Sequence, residues 1–143
     1  MLMALLHGKL SREQVNMEDI LTSNVFGLLK YLPPEQVLLP WLSTARIASG
    51  PAFSSDELIV PGMNVAYEFW PQWQLRDCVF CEPDVVLRLN FPTPDVKGMI
   101  FCIEAKYLSG KSSSADEQQS QPSDQLARQW DNLIQVAHTE KRE

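Results

Sequence analysis

Residues 82–106 read EPDVVLRLNFPTPDVKGMIFCIEAK, and this stretch decides the fold. Pro83-Asp84 opens the apolar run Val85-Val86-Leu87, and Glu104-Ala105-Lys106 closes the apolar run Met99 to Ile103. Between the runs, Asn90 to Gly98 is rich in turn formers, with Pro92, Pro94 and Gly98. Two short apolar runs around such a segment predict a β-hairpin. Symmetry about Pro94 sets Asp84 opposite Glu104, with nineteen residues between them. Directly opposed residues share a face of the sheet with Cβ atoms about 4.5–5.5 Å apart, where two like charges repel unless positive charge lies between them.

Strand alternation brings a third group to the patch, because Glu104 and Lys106 are two apart and point the same way. Two carboxylates and an ammonium form a hard, oxygen-rich set that suits Mg²⁺ or Mn²⁺, cations that keep several waters and bind phosphate oxygens well. With water activated at such a cation and Lys106 to orient it or neutralise a phosphate, the set is an apparatus for phosphodiester hydrolysis.

Composition bounds the rest. A chain of 143 residues with 45% hydrophobic content predicts one domain with a substantial core. No apolar run has the length of a membrane span, and Met1 to Leu6 is too short for a signal peptide, so a cytoplasmic protein without membrane contact is expected. The three cysteines argue against a disulfide framework. Cys78-x-x-Cys81 lacks a second paired motif and reads as structural thiols rather than half a zinc site. A net charge of −6 disfavours tight, sequence-independent binding to long duplex DNA by the domain as a whole.

Around the hairpin the chain divides into further elements. A helix is expected from about Met17 to Leu32, capped by Asn16 and stopped by Pro33-Pro34, with Leu21, Val25, Leu28, Leu29 and Leu32 as its buried stripe. On that wheel Glu18 lies within about 20° of Val25 and Leu29 and so starts on the inward face, where a carboxylate needs a partner, while Asp19 turns about 100° away towards water. Residues 35–48 read as a second helix carrying Val37, Leu38, Trp41 and Leu42, and residues 49–62 as an ordered loop. Strands are expected at about Val65 to Leu75, Phe80 to Leu89 and Met99 to Leu108. Ser109 to Ser123 is serine-rich and lacks large apolar residues, which predicts a mobile loop. Its Gly110-Lys111-Ser112 is not a phosphate loop, since position 105 is alanine where that motif needs glycine. A last helix is expected from about Asp124 to His138, capped by Ser123, with Leu126, Trp130, Leu133, Ile134 and Ala137 buried and Gln125 and Gln129 sharing another face.

At Pro83-Asp84 and Glu104-Ala105-Lys106 the chain resembles the PD-(D/E)XK nuclease superfamily, over residues from about Met17 to His138. The Ser-Gly-Lys-Ser-Ser loop after Glu-Ala-Lys-Tyr, followed by Asp-Gln-Leu-Ala-Arg-Gln-Trp, looks like bacterial or phage nuclease-like proteins of unassigned role. The resemblance implies an α/β, restriction-endonuclease-like fold: a central mixed sheet with an antiparallel hairpin, flanked by helices, in the order helix, three strands, helix, strand. The last strand has no counterpart before Glu143, so either the chain is a fragment or a further domain or second copy supplies it. The implied activity is Mg²⁺-dependent cleavage of nucleic acid, DNA in the first instance. Asp84 and Glu104 would hold the metal, with the Ala105 carbonyl and Glu18 as further ligands, and Lys106 would act on the water or the developing charge. Gln125 matches a glutamine that several branches aim at the active site, and Gln129 stands where some branches carry tyrosine. Lys111 and Arg128 are candidates for phosphate contact, Arg128 alternatively for a helix ion pair with Asp124 or Asp131. Two other readings stay open: a nuclease-fold interaction or specificity module without catalysis, and an α/β domain in which Glu104 and Lys106 are a surface ion pair.

Overall fold

The computed structural model describes residues 2–8, 17–47, 49–51, 62–93, 97–106 and 124–140. The expected mobile loop 109–123, with Lys111, and the caps Asn16 and Ser123 lie outside the described residues. The elements in chain order are α1 (Leu2–Leu6), α2 (Met17–Leu29), α3 (Leu38–Leu42), β1 (Arg46–Ile47), β2 (Gly50–Pro51), β3 (Asn64–Phe69), β4 (Val85–Asn90), β5 (Met99–Ile103) and α4 (Gln125–Glu140). Among the described residues β3, β4 and β5 form one antiparallel sheet in that order, and β1 and β2 form a separate two-stranded ribbon inside the segment expected as loop. The protein is thus a mixed α/β chain with a three-stranded antiparallel sheet and flanking helices, and among the described residues every strand pairing is antiparallel.

The register of the hairpin is the one its symmetry predicts. Val85 pairs with Ile103, Val86 with Cys102 and Leu87 with Phe101, so the next rung outward sets Asp84 against Glu104. The central strand β4 is buried on both faces, because its neighbours and two helical layers enclose it. Val85, Leu87 and Leu89 point into a core with Ala4 of α1, Phe26 of α2 and Leu38, Leu39 and Leu42 of α3. Val86 points the opposite way, into a smaller core with Ile100, Trp73, Cys81 and Val136 of α4. A strand covered on both sides reads as a continuous apolar run rather than an alternating one.

Several boundaries differ from the sequence reading, each for a local reason. β3 ends at Phe69 rather than Leu75, since Trp70 takes a left-handed φ of 45° and Pro71 has no N–H for the ladder. The chain then makes an excursion closed by a single antiparallel bridge, Trp73 with Cys81, and β4 starts at Val85 rather than Phe80. β5 stops at Ile103. α2 ends at Leu29, three residues early, and α3 shrinks to five residues. α4 runs to Glu140, two residues beyond His138.

The larger correction concerns the helix faces. In α2 the buried side chains are Thr22, Ser23 and Phe26, while Leu21, Val25 and Leu28 are exposed. In α4 the buried positions are Gln129, Asn132 and Val136, while Leu126, Trp130 and Ile134 are exposed; of the expected stripe only Leu133 and Ala137 pack against the core. The polar residues turned inward mostly have tertiary partners. Ser23 Oγ accepts the Ala4 amide at 3.0 Å. Asn132, fully buried, accepts the Leu75 amide at 3.2 Å and donates to the carbonyls of Val79 and Arg128 at 2.8 and 2.9 Å. Gln135 adds a bond to the Arg76 carbonyl at 2.8 Å. These bonds stitch the Trp70–Asp84 excursion onto α4. At the far end of the same helix Glu140 pairs with Arg88 of β4, which also pairs with Glu68 of β3.

Candidate active site

The candidate site lies where the β4–β5 hairpin opens, one residue beyond its last rung. Asp84 is fixed there from two sides. Its carbonyl accepts the Trp70 amide at 3.1 Å, which extends the β3–β4 ladder by one bond, and its Oδ2 accepts the Ala105 amide at 2.7 Å. Ala105 thus meets the site through its N–H. Among the described residues no hydrogen bond to Asp84 Oδ1 is formed.

Glu104 is held more tightly. Its side chain is only 9% exposed. Oε1 accepts from Lys106 Nζ at 2.5 Å and from Gln125 Nε2 at 2.7 Å, and Oε2 accepts from Gln129 Nε2 at 2.6 Å. The first turns of α4 thus supply two amides, four residues apart on one helix face, to a carboxylate at the end of β5. Each carboxylate oxygen has two lone pairs, so Oε1 is saturated and Oε2 keeps one open site.

The electrostatics follow from these positions. Burial pushes the Asp84 carboxyl from its ordinary 3.8 up to about 6; the Ala105 amide and Lys106 pull it down, and the charges of Glu104 and Asp19 push it further up. For the Lys106 ammonium, burial works downward, but the hydrogen bond and charge of Glu104, helped by Glu18 and Asp84, outweigh it and leave the pKa above its ordinary value. The site is a carboxylate-rich pocket with one resident ammonium, and its field favours additional positive charge.

Asp84, Glu104, Lys106 and Gln125 are therefore brought together, and Glu18 stands within electrostatic reach of Lys106. Arg128 makes no hydrogen bond to the cluster among the described residues: its Nε is buried without a hydrogen-bond partner, neither expected helix ion pair is formed among the described residues, and its charge, like that of Glu104, is felt at Cys81.

Two residues escape the sequence reading. Gln129 is legible in the sequence as a neighbour of Gln125 on the wheel and as the position where some branches of the resembling family carry tyrosine, but not as a partner of Glu104. Asp19 is assigned to solvent because the leucine stripe is taken as the buried face. On the face that is buried, Asp19, Thr22, Ser23 and Phe26 follow the helical spacing i, i+3, i+4, i+7, and Asp19 is the acid that reaches Asp84.

Among the described residues no group of three or more His, Cys, Asp or Glu side chains is arranged to hold a metal ion. The donor set that does exist is the opposed pair: the open lone pair of Glu104 Oε2 and the free Oδ1 of Asp84. Two hard oxygen donors suit a small divalent cation that retains much of its hydration. Cys78, Cys81 and Cys102 are free thiols, and burial pushes Cys81 up to about 11 and Cys102 up to about 12.

A cleft of about 220 Å³ adjoins the site, lined by Cys102, Leu126, Gln129, Trp130 and Leu133. Among the described residues no helix is long and apolar enough to cross a membrane. Comparison of the chain with protein-family models, with curated proteins and with solved structures finds no match.

Proposed function

We propose that this chain is a nuclease domain of the PD-(D/E)XK type that hydrolyses phosphodiester bonds, with DNA as the first substrate to test and Mg²⁺ or Mn²⁺ as cofactor. The observation that carries the reading is the opposition of Asp84 and Glu104 across the mouth of one hairpin, with Lys106 in the same cluster. Like charges at that position are an unfavourable way to end a hairpin and a favourable way to hold a cation.

In this reading Asp84 and Glu104 hold the metal. When bound, it supplies Lewis acidity towards a phosphoryl oxygen. Lys106 donates to Glu104 Oε1, and from that position its ammonium can orient the attacking water and meet charge developing on the phosphate. Gln125 and Gln129 fix the rotamer of Glu104, and the Ala105 amide fixes Asp84, so the two carboxylates are positioned before substrate arrives. Glu18 and Asp19 add negative charge at the rim, where they favour retention of a cation. The restriction-endonuclease-like arrangement is part of the proposal; the described helices and antiparallel strands are its support.

A second reading, an interaction or specificity module that keeps the fold without catalysis, draws on one observation. Glu104 is nearly buried and already accepts three hydrogen bonds from its own chain, as a structural carboxylate does. The two readings separate in a cleavage assay on labelled single- and double-stranded DNA and RNA with Mg²⁺ or Mn²⁺. The nuclease reading expects cleavage that disappears in Asp84→Asn and Lys106→Ala. Cleavage equal in wild type and both variants would rule it out.

A further inference from the structure

The proposed mechanism leaves one charged side chain of α4 unused, that of Arg128. Its Nε is buried with no hydrogen-bond partner, and among the described residues its guanidinium forms no ion pair. Other cations of the described chain are answered: Arg76, Arg88 and Lys106 are in ion pairs, Arg46 donates to backbone carbonyls and Lys30 lies over the Tyr31 ring. Two aspartates stand within helical reach of Arg128, at i−4 and i+3, yet neither pairs with it. Asp124 Oδ1 instead accepts the amides of Leu126 and Ala127 at 2.9 and 3.2 Å, which caps α4, and the charge of Asp131 is felt at Cys78. A guanidinium presents five N–H donors and stays ionised, so a dry, unanswered Nε is a cost that an apolar side chain of similar length would not carry.

The position borders the candidate site. On α4, Gln125 lies one turn before Arg128 and Asn132 one turn after it. Gln125 donates to Glu104 Oε1 at 2.7 Å, and Asn132 holds the excursion at Leu75 and Val79. Arg128 therefore stands between the mouth of the hairpin and the excursion that leads through Cys81-Glu82-Pro83 into Asp84, and its charge and that of Glu104 are both felt at Cys81.

We infer that Arg128 is a phosphate-binding residue, whose guanidinium takes a backbone phosphodiester of the nucleic-acid strand beside the phosphate that is cut at Asp84, Glu104 and Lys106. The guanidinium fork matches two phosphate oxygens at once, and a charge-assisted bond of this kind would satisfy the donor that the free chain leaves dry. Lys106, the cation inside the cluster, is paired with Glu104 and offsets that carboxylate first. In a chain of net charge −6, a strand at the mouth also meets the acids Glu18 and Asp19 of α2, so a second cation on the α4 side offsets repulsion that Lys106 alone does not. A strand as the source of that phosphate rests on the nuclease reading, but the contact is one of binding and is measurable without turnover.

Fluorescence anisotropy of a short, labelled, non-cleavable DNA, single-stranded and duplex, in Mn²⁺ and over about 50–200 mM salt tests it, on the full chain as wild type, Arg128→Met and Arg128→Lys, with thermal unfolding of each. Arg128→Met is expected to bind about tenfold more weakly or worse, to lose about one from the slope of log affinity against log salt, and to melt no lower than wild type, since it removes an unsatisfied donor. Arg128→Lys keeps the charge without the fork, so it should keep the slope and lose less affinity. Affinity and slope unchanged in Arg128→Met would overturn the inference and leave the metal site untouched. So would a wild type that fails to bind the DNA yet is raised in melting temperature by inorganic phosphate through Arg128, because the ligand would then be the free ion. A chain that binds DNA through Arg128 and does not cut it with Mg²⁺ or Mn²⁺ would uphold the contact and refute the nuclease reading.

Discussion

The side-chain amide of Gln129 donates to Oε2 of Glu104 at 2.6 Å, and through that bond α4 sets the orientation of a carboxylate at the end of β5. Gln129 is only 4% exposed, so water cannot readily replace it. Hydrogen bonds to a charged group contribute about 1.5–3 kcal/mol, more when loss of one partner leaves the other buried. Gln129→Ala is therefore expected to destabilise the fold by about 2 kcal/mol in urea unfolding. Gln125→Ala, at a more accessible position, should cost less than half as much. Equal effects would show that Glu104 is not held chiefly from the buried side.

The raised pKa of Asp84 makes a signed prediction. A carboxyl with a folded-state value of about 6 and an ordinary value of 3.8 holds its proton more tightly when folded. Between these values the unfolded chain binds fewer protons than the native one, so this group's contribution to stability is fully present below about pH 4 and is lost as pH rises through about 6. The loss is on the order of 2–3 kcal/mol. Asp84→Asn keeps an acceptor for the Ala105 amide and removes the titration. Relative to wild type it should gain stability by that amount between pH 4 and pH 7 without added metal. A difference that stays flat across the range would contradict the burial of this carboxyl beside Glu104.

Asn132 is expected to be among the most sensitive polar positions. It is fully buried and bonds three backbone groups: the Leu75 amide and the carbonyls of Val79 and Arg128. Asn132→Ala strands the first two, at about 1–3 kcal/mol per unsatisfied group, and should lower stability by about 3 kcal/mol. Proteolysis or hydrogen exchange should report loosening of residues 71–83 ahead of the rest of the sheet.

Arg88 couples β3, β4 and α4 through Glu68 and Glu140 and is 20% exposed. Its pairs are partly screened, so Arg88→Met is expected to cost about 1 kcal/mol, most of it lost again in high salt. A cost of 3 kcal/mol or more would indicate that the α4 C-terminus depends on this residue for docking.

The hairpin was legible in the sequence because its evidence is local. Turn formers lie between two apolar runs, and an acid ends each run, so symmetry alone gave the register that Val85 and Ile103 display. The closeness of Glu104 and Lys106 followed from alternation along one strand. The helix faces were not legible in the same way. A stripe of leucines marks the apolar side of a helix, and the usual inference is that this side is buried. In α2 the core takes Thr22, Ser23 and Phe26, and in α4 Gln129, Asn132 and Val136. The partners of Ser23, Gln129 and Asn132 lie 19 to 57 residues away, beyond the reach of a local pattern. The same inversion hid Asp19, whose route to Asp84 depends on which face of α2 turns inward. Trp70 ended β3 early through a backbone angle that an alternating aromatic pattern does not announce.

The most direct test of the site is calorimetric titration of Mn²⁺ into wild type, Asp84→Asn and Glu104→Gln near pH 7.5, with a short, non-cleavable oligonucleotide present to complete the coordination. The account predicts at least one Mn²⁺ bound per chain in wild type and binding at least tenfold weaker in each variant. Absence of Mn²⁺ binding in wild type, or equal binding in all three, would contradict a cation between Asp84 and Glu104.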